Sequence, residues 1–110
     1  MNKVLLVGRL GKDIELKTPK KNMSVARFNL ATDGGKDESG EKITHWVPVC
    51  VWNQAADYLD QYAKKGDRIE VEGYIKTDSY DKDGKTVYTT EVTATRVSIL
   101  GDREDNSRRR

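Results

Sequence analysis

Residues 43–66 read ITHWVPVCVWNQAADYLDQYAKKG, and the first ten of them alternate between two kinds of side chain. A period of two predicts a β-strand whose successive side chains point to opposite faces. Val47, Val49 and Val51 are predicted to face the core. Trp46 and Trp52 then share the other face, which in a small barrel is exposed to solvent. Two large aromatic groups on a solvent face indicate a ligand, because they otherwise promote aggregation.

A short helix is predicted directly after this strand. Asn53 offers a side-chain oxygen that can cap the helix start. Ala55, Leu59 and Tyr62 recur at the spacing of one helical face and predict a narrow apolar stripe. Gly66 suits the left-handed conformation at which many helices end.

Four further strands are predicted, over residues 3–16, 24–32, 67–76 and 88–100. The first is apolar on both faces, so its second face, with Leu5 and Val7, is available to another subunit. In the others the inward sets are Ala26, Phe28 and Leu30, then Ile69, Val71, Gly73 and Ile75, while Val25, Arg27 and Asn29 face out. A shift of parity before Val97 and Ile99 predicts a bulge.

Three polar segments connect these strands. Residues 17–22 are predicted to form a basic turn, and residues 33–42, which carry no apolar side chain, a mobile loop. Residues 77–88 are predicted to form a protruding hairpin that turns at Asp83 and Gly84.

The order of the elements predicts an all-β fold, a five-stranded Greek-key barrel of the OB type. Its one short helix lies between the third and fourth predicted strands, and its protruding hairpin between the fourth and fifth. A small β-sandwich is the alternative, and the position of the helix favours the barrel. Residues 1–100 form the predicted domain. Residues 101–110, without hydrophobic side chains and ending in three arginines, are predicted to be a disordered tail.

Composition limits the function classes. The chain has 110 residues, 35% of them charged, but a net charge of only +2, so basic residues must be interpreted by position. The one cysteine excludes an internal disulfide and fits a reducing, cytoplasmic compartment. Residues 4–7 form the one apolar run near the N-terminus, which is too short for a signal peptide or membrane span. One histidine and scattered carboxylates predict no enzyme, no metal site and no cofactor.

Aromatic residues interleaved with cations are the remaining functional pattern. Trp46 and Trp52 lie six residues apart, which is about 20 Å along a strand, and Tyr80 lies on the predicted hairpin. Stacking platforms with basic residues along the phosphates are typical of single-stranded nucleic acid binding. A subunit interface or a barrel-end plug is the alternative role for either tryptophan. The candidate phosphate contacts are Lys3, Arg9, Lys17, Lys20, Lys21, Arg27, Lys76, Lys82 and Lys85.

Six short motifs occur in an order and spacing that carry a family resemblance: residues 2–13, 25–32, 44–46, 62–66, 71–73 and 88–92. Over residues 2–100 the chain resembles the DNA-binding core of bacterial and phage single-stranded DNA-binding proteins. The resemblance implies an OB-fold that binds single-stranded DNA with little sequence preference during replication, recombination and repair. It implies stacking at Trp46, Trp52 and Tyr80, with Tyr62 and Lys64 near the DNA path. It also implies a homotetramer in which first strands pair within a dimer.

Departures from the family pattern leave an alternative open. Residues 33–42 lack the stacking aromatic that the family has there, and Pro48 occupies a basic position. The family's acidic C-terminal tip has no counterpart in a chain that ends in arginines, so recruitment of replication and repair enzymes is in question. The alternative is an OB-fold adaptor, similar to primosomal replication proteins, that acts through protein contacts. Stacking and phosphate contacts also do not discriminate RNA from DNA.

Overall fold

A computed structural model describes residues 1–101 of the chain. These residues form six strands and one helix: β1 (Val4–Leu10), β2 (Leu16–Lys20), β3 (Met23–Lys36), β4 (Lys42–Trp52), α1 (Asn53–Tyr62), β5 (Arg68–Lys82) and β6 (Lys85–Gly101). The predicted tail over 101–110 lies outside the described residues except for Gly101, which pairs with Arg68 at the end of β6.

The sheet closes into a barrel of five strands. Its order is β1-β5-β6-β4-β3, and β3 pairs back onto β1 through Arg9 with Ala31 and Leu10 with Leu30. The short strand β2 joins the same edge of β3 further along, where Leu16 pairs with Ala26. The helix lies between β4 and β5, which are the third and fourth predicted strands. The all-β OB-type barrel predicted from the element order is therefore confirmed.

The prediction of a single first strand over residues 3–16 was wrong, because the chain leaves the sheet after Leu10. Residues 4–9 pair with β5, whereas Arg9 and Leu10 already pair with β3 on the other edge. Closing the barrel thus requires the chain to change direction here, and it re-enters as β2 at Leu16. The basic turn predicted over 17–22 is correspondingly shorter. Its first four residues belong to β2, and the turn is made by Lys21 and Asn22, the latter at φ 62°.

The core contains the inward side chains that the alternation predicted. Leu30, Val49, Val51, Ile69 and Val71 are fully buried or nearly so, and each such aliphatic side chain stabilises the fold by about 1.5–3 kcal/mol. The predicted inward set on β1, Val4, Leu6 and Leu10, also packs in this cluster.

The burial of two side chains differs from the prediction. Val25 was predicted to be exposed but is buried, and it pairs directly with Trp52 on the outer face of the sheet. Ile75 was predicted to face the core and is 45% exposed. It keeps the inward parity of β5, but it lies where β5 and β6 leave the barrel as a two-stranded arm, so no core packs against it.

Asn53 attaches the helix to the sheet and does not act as the predicted N-cap. Trp52 is the N-cap residue and no side chain caps the helix. Asn53, at φ 53°, instead accepts a hydrogen bond from the Ser24 backbone N–H at 3.1 Å. The Ser24 hydroxyl donates to Asp57 at 2.7 Å. These two bonds attach α1 to the start of β3.

The apolar stripe of α1 also differs in part from the predicted one. Leu59 is buried with Ala56 and the following Ala63, whereas Tyr62 is 60% exposed. The stripe was therefore predicted correctly at Leu59 and wrongly at Tyr62, because Ala63 rather than Tyr62 continues the buried side after Leu59.

The arm formed by β5 and β6 follows the predicted hairpin. Lys82 pairs with Lys85, and Asp83 and Gly84 both adopt positive φ, 52° and 77°, as a type I′ turn requires. The register of β5 with β6 shifts between Glu72 and Gly73, which leaves one extra residue on β6 before Val97 and confirms the predicted bulge. The loop predicted over 33–42 shrinks to residues 37–41, since β3 and β4 extend into it.

Candidate nucleic-acid interface

The two tryptophans lie on the outer face of the sheet, each in line with a cation two strands away. Trp46 pairs with Ala31 on β3, and Ala31 pairs with Arg9 on β1. Trp52 pairs with Val25 on β3, and Val25 pairs with Lys17 on β2. Residues that are direct partners in a sheet share a face. The register thus aligns Arg9 with Trp46 and Lys17 with Trp52, two strands or about 10 Å away in each case.

A third row crosses the sheet between the tryptophans. Arg27 on β3 pairs with Cys50 on β4, and Cys50 pairs in parallel with Thr93 on β6. We call this outer surface of β3 and β4, with Trp46, Trp52 and Arg27, the tryptophan face. The prediction that the tryptophans share a face is confirmed by this register.

Trp46 borders a groove of about 670 Å³. One wall is the segment from Gly11 to Glu15, and the other is formed by Arg27, Phe28 and Asn29. The indole is 56% exposed, so much of the ring is free to stack. Its remaining edge packs on Gly11, where a Cβ atom would lie 2.7 Å from the ring. A larger residue at position 11 would therefore displace Trp46.

Trp52 is half-buried and contributes to the surroundings of Cys50. The Trp52 side chain interacts with the Cys50 thiol, and this residue is itself almost completely buried. Burial raises the pKa of the thiol, and Glu91 raises it further against the opposing effects of Arg27 and Lys76. A buried thiol of raised pKa is a poor nucleophile, so Cys50 is a packing residue.

Arg27 forms an ion pair with Glu91 on β6, with 3.4 Å between Nε and a carboxylate oxygen. Lys76 is the direct register partner of Glu91 on β5, and its ammonium lies 3.8 Å from Asp78. Arg27 and Lys76, both predicted phosphate contacts, thus flank one carboxylate.

The arm carries four of the predicted residues on one side. Tyr80 and Lys82 alternate with Lys76 on the outer face of β5, and Lys85 pairs with Lys82 at the turn. Tyr80 is 51% exposed. Because Glu91 is on the same outer face, the arm extends the surface that begins at Arg27.

The contacts of the remaining predicted residues on or next to β1 and β2 are as follows. The Lys3 ammonium is 2.6 Å from Glu72 on β5, at the far end of β1 from Arg9. Arg9 donates to the Gly66 carbonyl at 3.0 Å. Lys20 pairs with Met23 at the end of β2, and Lys21 follows in the turn.

Tyr62 and Lys64 lie at the end of α1, outside the strand rows. The ring of Tyr62 is 5.7 Å from that of Tyr58, and the Lys64 backbone N–H donates to Asp67. The next residue, Lys65, donates its backbone N–H to Asp13 in the wall of the Trp46 groove at 2.7 Å. This bond brings the segment after the helix close to the groove.

Some features of this surface were not predicted. The segment 11–15 was assigned to a strand, so its role as a groove wall was missed; its one signal of a break, Gly11 with Asp13, is typical of turns but also fits a bend within a single strand. Glu91 was not singled out, although its position opposite Lys76 follows from the hairpin register. Tyr88 was treated only as the start of a strand, yet it is 76% exposed on the arm.

Within residues 1–101, no three histidine, cysteine or carboxylate side chains converge as a metal site would require. In the same part of the chain, no helix has the length and apolar character needed to cross a membrane.

Comparison with known proteins identifies the family. The profile of the Single-strand binding protein family matches residues 1–100. This chain belongs to that family. Among curated members, Single-stranded DNA-binding protein 3 of Clostridium acetobutylicum is 43% identical over 97% of this chain and 77% of its own length. Single-stranded DNA-binding protein 1 of Chlorobaculum tepidum is 39% identical over 94% of this chain and 67% of its own.

A solved structure of a single-strand binding protein shares the fold. The Plasmodium falciparum protein, determined in complex with single-stranded DNA, superposes with a TM-score of 0.79 at 28% identity. The match covers 92% of this chain and 96% of the other. Membership of the single-strand binding protein family, which the motifs indicated, is therefore confirmed over nearly the whole described chain.

Proposed function

We propose that this chain binds single-stranded DNA without sequence preference and protects it during replication, recombination and repair. The observation that carries the proposal is the alignment of cations with exposed aromatic groups on one outer face: Arg9 with Trp46, Lys17 with Trp52, and Arg27 between them. Two relatives, 43% and 39% identical, are named single-stranded DNA-binding proteins.

Stacking and phosphate contacts account for such binding. Each base stacked on an aromatic side chain contributes about 1–3 kcal/mol, and every base offers a stacking surface. The tryptophans are about 20 Å apart along β4, so they contact different bases of one extended strand. Arg9, Lys17, Arg27 and the lysines of the arm contact the phosphates between them, and these contacts carry no sequence information. The role is binding, with no catalytic step, and we place it in the cytoplasm.

We further propose that the chain assembles as a homotetramer in which β1 pairs with β1 of a second copy within each dimer. Leu5 and Val7 are 63% and 47% exposed on the outer face of β1. In the described chain, the β1 edge that faces away from β5 is paired with β3 only at Arg9 and Leu10. An unpaired strand edge beside exposed aliphatic side chains favours pairing with another strand.

A titration of the protein with oligo-dT, followed by intrinsic tryptophan fluorescence at two salt concentrations, tests the function. We expect quenching, since bases stack on Trp46 and Trp52, and an affinity that falls as salt rises, since phosphate contacts release counterions. Absence of both quenching and salt dependence would contradict the proposal and favour an adaptor that acts through protein contacts.

A further inference from the structure

The Arg27–Glu91 ion pair crosses the middle of the tryptophan face. Arg27 is on β3 and Glu91 is on β6, and β4 lies between these two strands in the sheet. Because Arg27 pairs with Cys50, the bridge passes over β4 near that residue. Cys50 has the parity of the outer face and is still only 1% exposed, which agrees with a covering side chain. The bridge therefore lies on the path between Trp46 and Trp52.

The ion pair with Glu91 engages one nitrogen of the Arg27 guanidinium and leaves the other nitrogens for a second partner. The contact at 3.4 Å is made by Nε, and the Arg27 side chain remains 60% exposed. Arginine has five N–H donors in a rigid planar group. A carboxylate at Nε can thus fix the plane of the guanidinium while its outer nitrogens bind a phosphate.

The charges around Glu91 permit it to stay in place when DNA binds. Glu91 is 23% exposed, and Lys76 is its direct partner across the β5–β6 pair. Together with Asp78, which lies 3.8 Å from the Lys76 ammonium, these side chains and Arg27 carry no net charge, so an approaching phosphate meets no net repulsion from the group. Without the carboxylate, a long arginine side chain would have to be ordered at the moment of binding, at a cost typical of flexible interface side chains.

We propose that Glu91 is a positioning residue for DNA binding: it holds the Arg27 guanidinium across β4, between the two tryptophans, in the orientation that contacts a phosphate. This inference rests on the proposed function. It differs from that function in assigning a favourable role to a carboxylate on a surface that binds a polyanion.

The test is a double-mutant cycle of Glu91→Ala and Arg27→Ala, with oligo-dT affinity and its salt dependence as the readouts. Glu91→Ala should weaken binding about threefold to tenfold, the range that ordering one such side chain covers. It should also lower the slope of log affinity against log salt by up to about one phosphate contact, as Arg27→Ala does. In the Arg27→Ala background, Glu91→Ala should change neither quantity. Glu91→Gln, which keeps an oxygen that can accept from Nε, should remain within about twofold of the wild type.

The opposing result is equally clear. If Glu91 merely repels the phosphates, Glu91→Ala binds more tightly and its salt slope rises, and the proposal is wrong. A loss that persists in the Arg27→Ala background, or a Glu91→Gln variant as weak as Glu91→Ala, also overturns it. Asp60→Ala, on the exposed side of α1, changes the net charge equally and should leave the affinity within about twofold. Wild-type protein that does not bind oligo-dT would instead refute the proposed function itself.

Discussion

Two outer surfaces of the barrel expose large apolar side chains, and they differ in what surrounds those side chains. On the tryptophan face, the exposed groups are aromatic and lie in line with cations. On β1, they are the aliphatic Leu5 and Val7. Their direct partners on β5 are two carboxylates, Glu72 and Glu70, and Glu72 lies between Lys3 at 2.6 Å and Arg96 at 4.0 Å.

The difference indicates two kinds of partner. A nucleic-acid base requires a flat platform and its phosphate requires a cation with free donors, and the tryptophan face offers both. The surface of β1 offers aliphatic area, neighbouring carboxylates that would repel a phosphate and a strand edge with little pairing, which suits another polypeptide. Exposure alone would not separate the two surfaces; their side-chain chemistry does.

Removal of both stacking platforms should have the largest effect on DNA binding. Trp46→Ala with Trp52→Ala should weaken oligo-dT binding at least about thirtyfold, because two stacked bases together contribute about 2–6 kcal/mol. The assembly mass should not change, because neither tryptophan lies on β1. Fluorescence anisotropy of a labelled oligo-dT and sedimentation of the same sample measure the two quantities. A smaller effect on affinity combined with dissociation of the assembly would mean that the tryptophan face is a subunit interface rather than the DNA-binding surface.

The reciprocal substitution is Leu5→Glu. A charge placed at the centre of an aliphatic interface should cost about 2 kcal/mol or more, so the assembly should dissociate at concentrations about thirtyfold higher than for the wild type. Sedimentation over a concentration series measures this shift. A short oligo-dT that spans one chain should still quench tryptophan fluorescence in the variant. Unchanged mass would exclude β1 as the interface.

The arm offers the same comparison on a smaller scale. Tyr80 lies on its outer side with Lys76, whereas Tyr88 lies opposite Ser79 on the side that continues the core face. Tyr80→Ala should therefore weaken oligo-dT binding by about 1 kcal/mol, roughly fivefold, and Tyr88→Ala by less than twofold. Titrations of both variants beside the wild type measure the difference. Equal losses would mean that DNA contacts both sides of the arm.

The sequence allowed the element types, the turn at Asp83–Gly84, the bulge before Val97 and most of the core to be predicted, because these follow from local periodicity and turn chemistry. It did not allow the break after Leu10 to be predicted, since that break arises from closure of the barrel. Ile75 and Val25 both keep the expected parity, and tertiary neighbours decide their burial: Ile75 lies beyond the core, whereas Val25 is buried on the outer face, where Trp52 is its direct partner.

The site was predictable in composition but not in geometry. Trp46, Trp52 and Arg27 were recognisable as one face from alternation alone. Their alignment with Arg9 and Lys17 requires the register of three strands, which a single sequence does not provide. Glu91 shows what a single sequence leaves out. No pattern in the sequence indicates a function for this carboxylate, and only its contact with Arg27 in the structure does so.

The smallest expected effect concerns the charges on β1. A hydrogen bond and the charge of Lys3, with a contribution from Arg96, lower the pKa of Glu72 below its usual 4.5. A carboxyl group with a lowered folded pKa contributes stability at pH values above its unfolded pKa, and this contribution is lost as the pH falls through the folded pKa. Glu72→Gln should therefore lower Tm slightly at neutral pH, and its difference from the wild type should shrink as the pH falls below 4.5 and vanish below the folded pKa.

Thermal unfolding of both proteins between pH 7 and pH 3 measures this difference, and the partner provides the control. Lys3→Met removes the main cause of the pKa shift, so adding Glu72→Gln to it should change the pH profile much less than it does in the wild type. Because the pair is partly exposed, the effect in a single chain is small. A Tm difference that grows with protein concentration would mean that self-association buries the pair and that the β1 surface is an interface. A difference that is constant at every pH would contradict the assignment to Glu72.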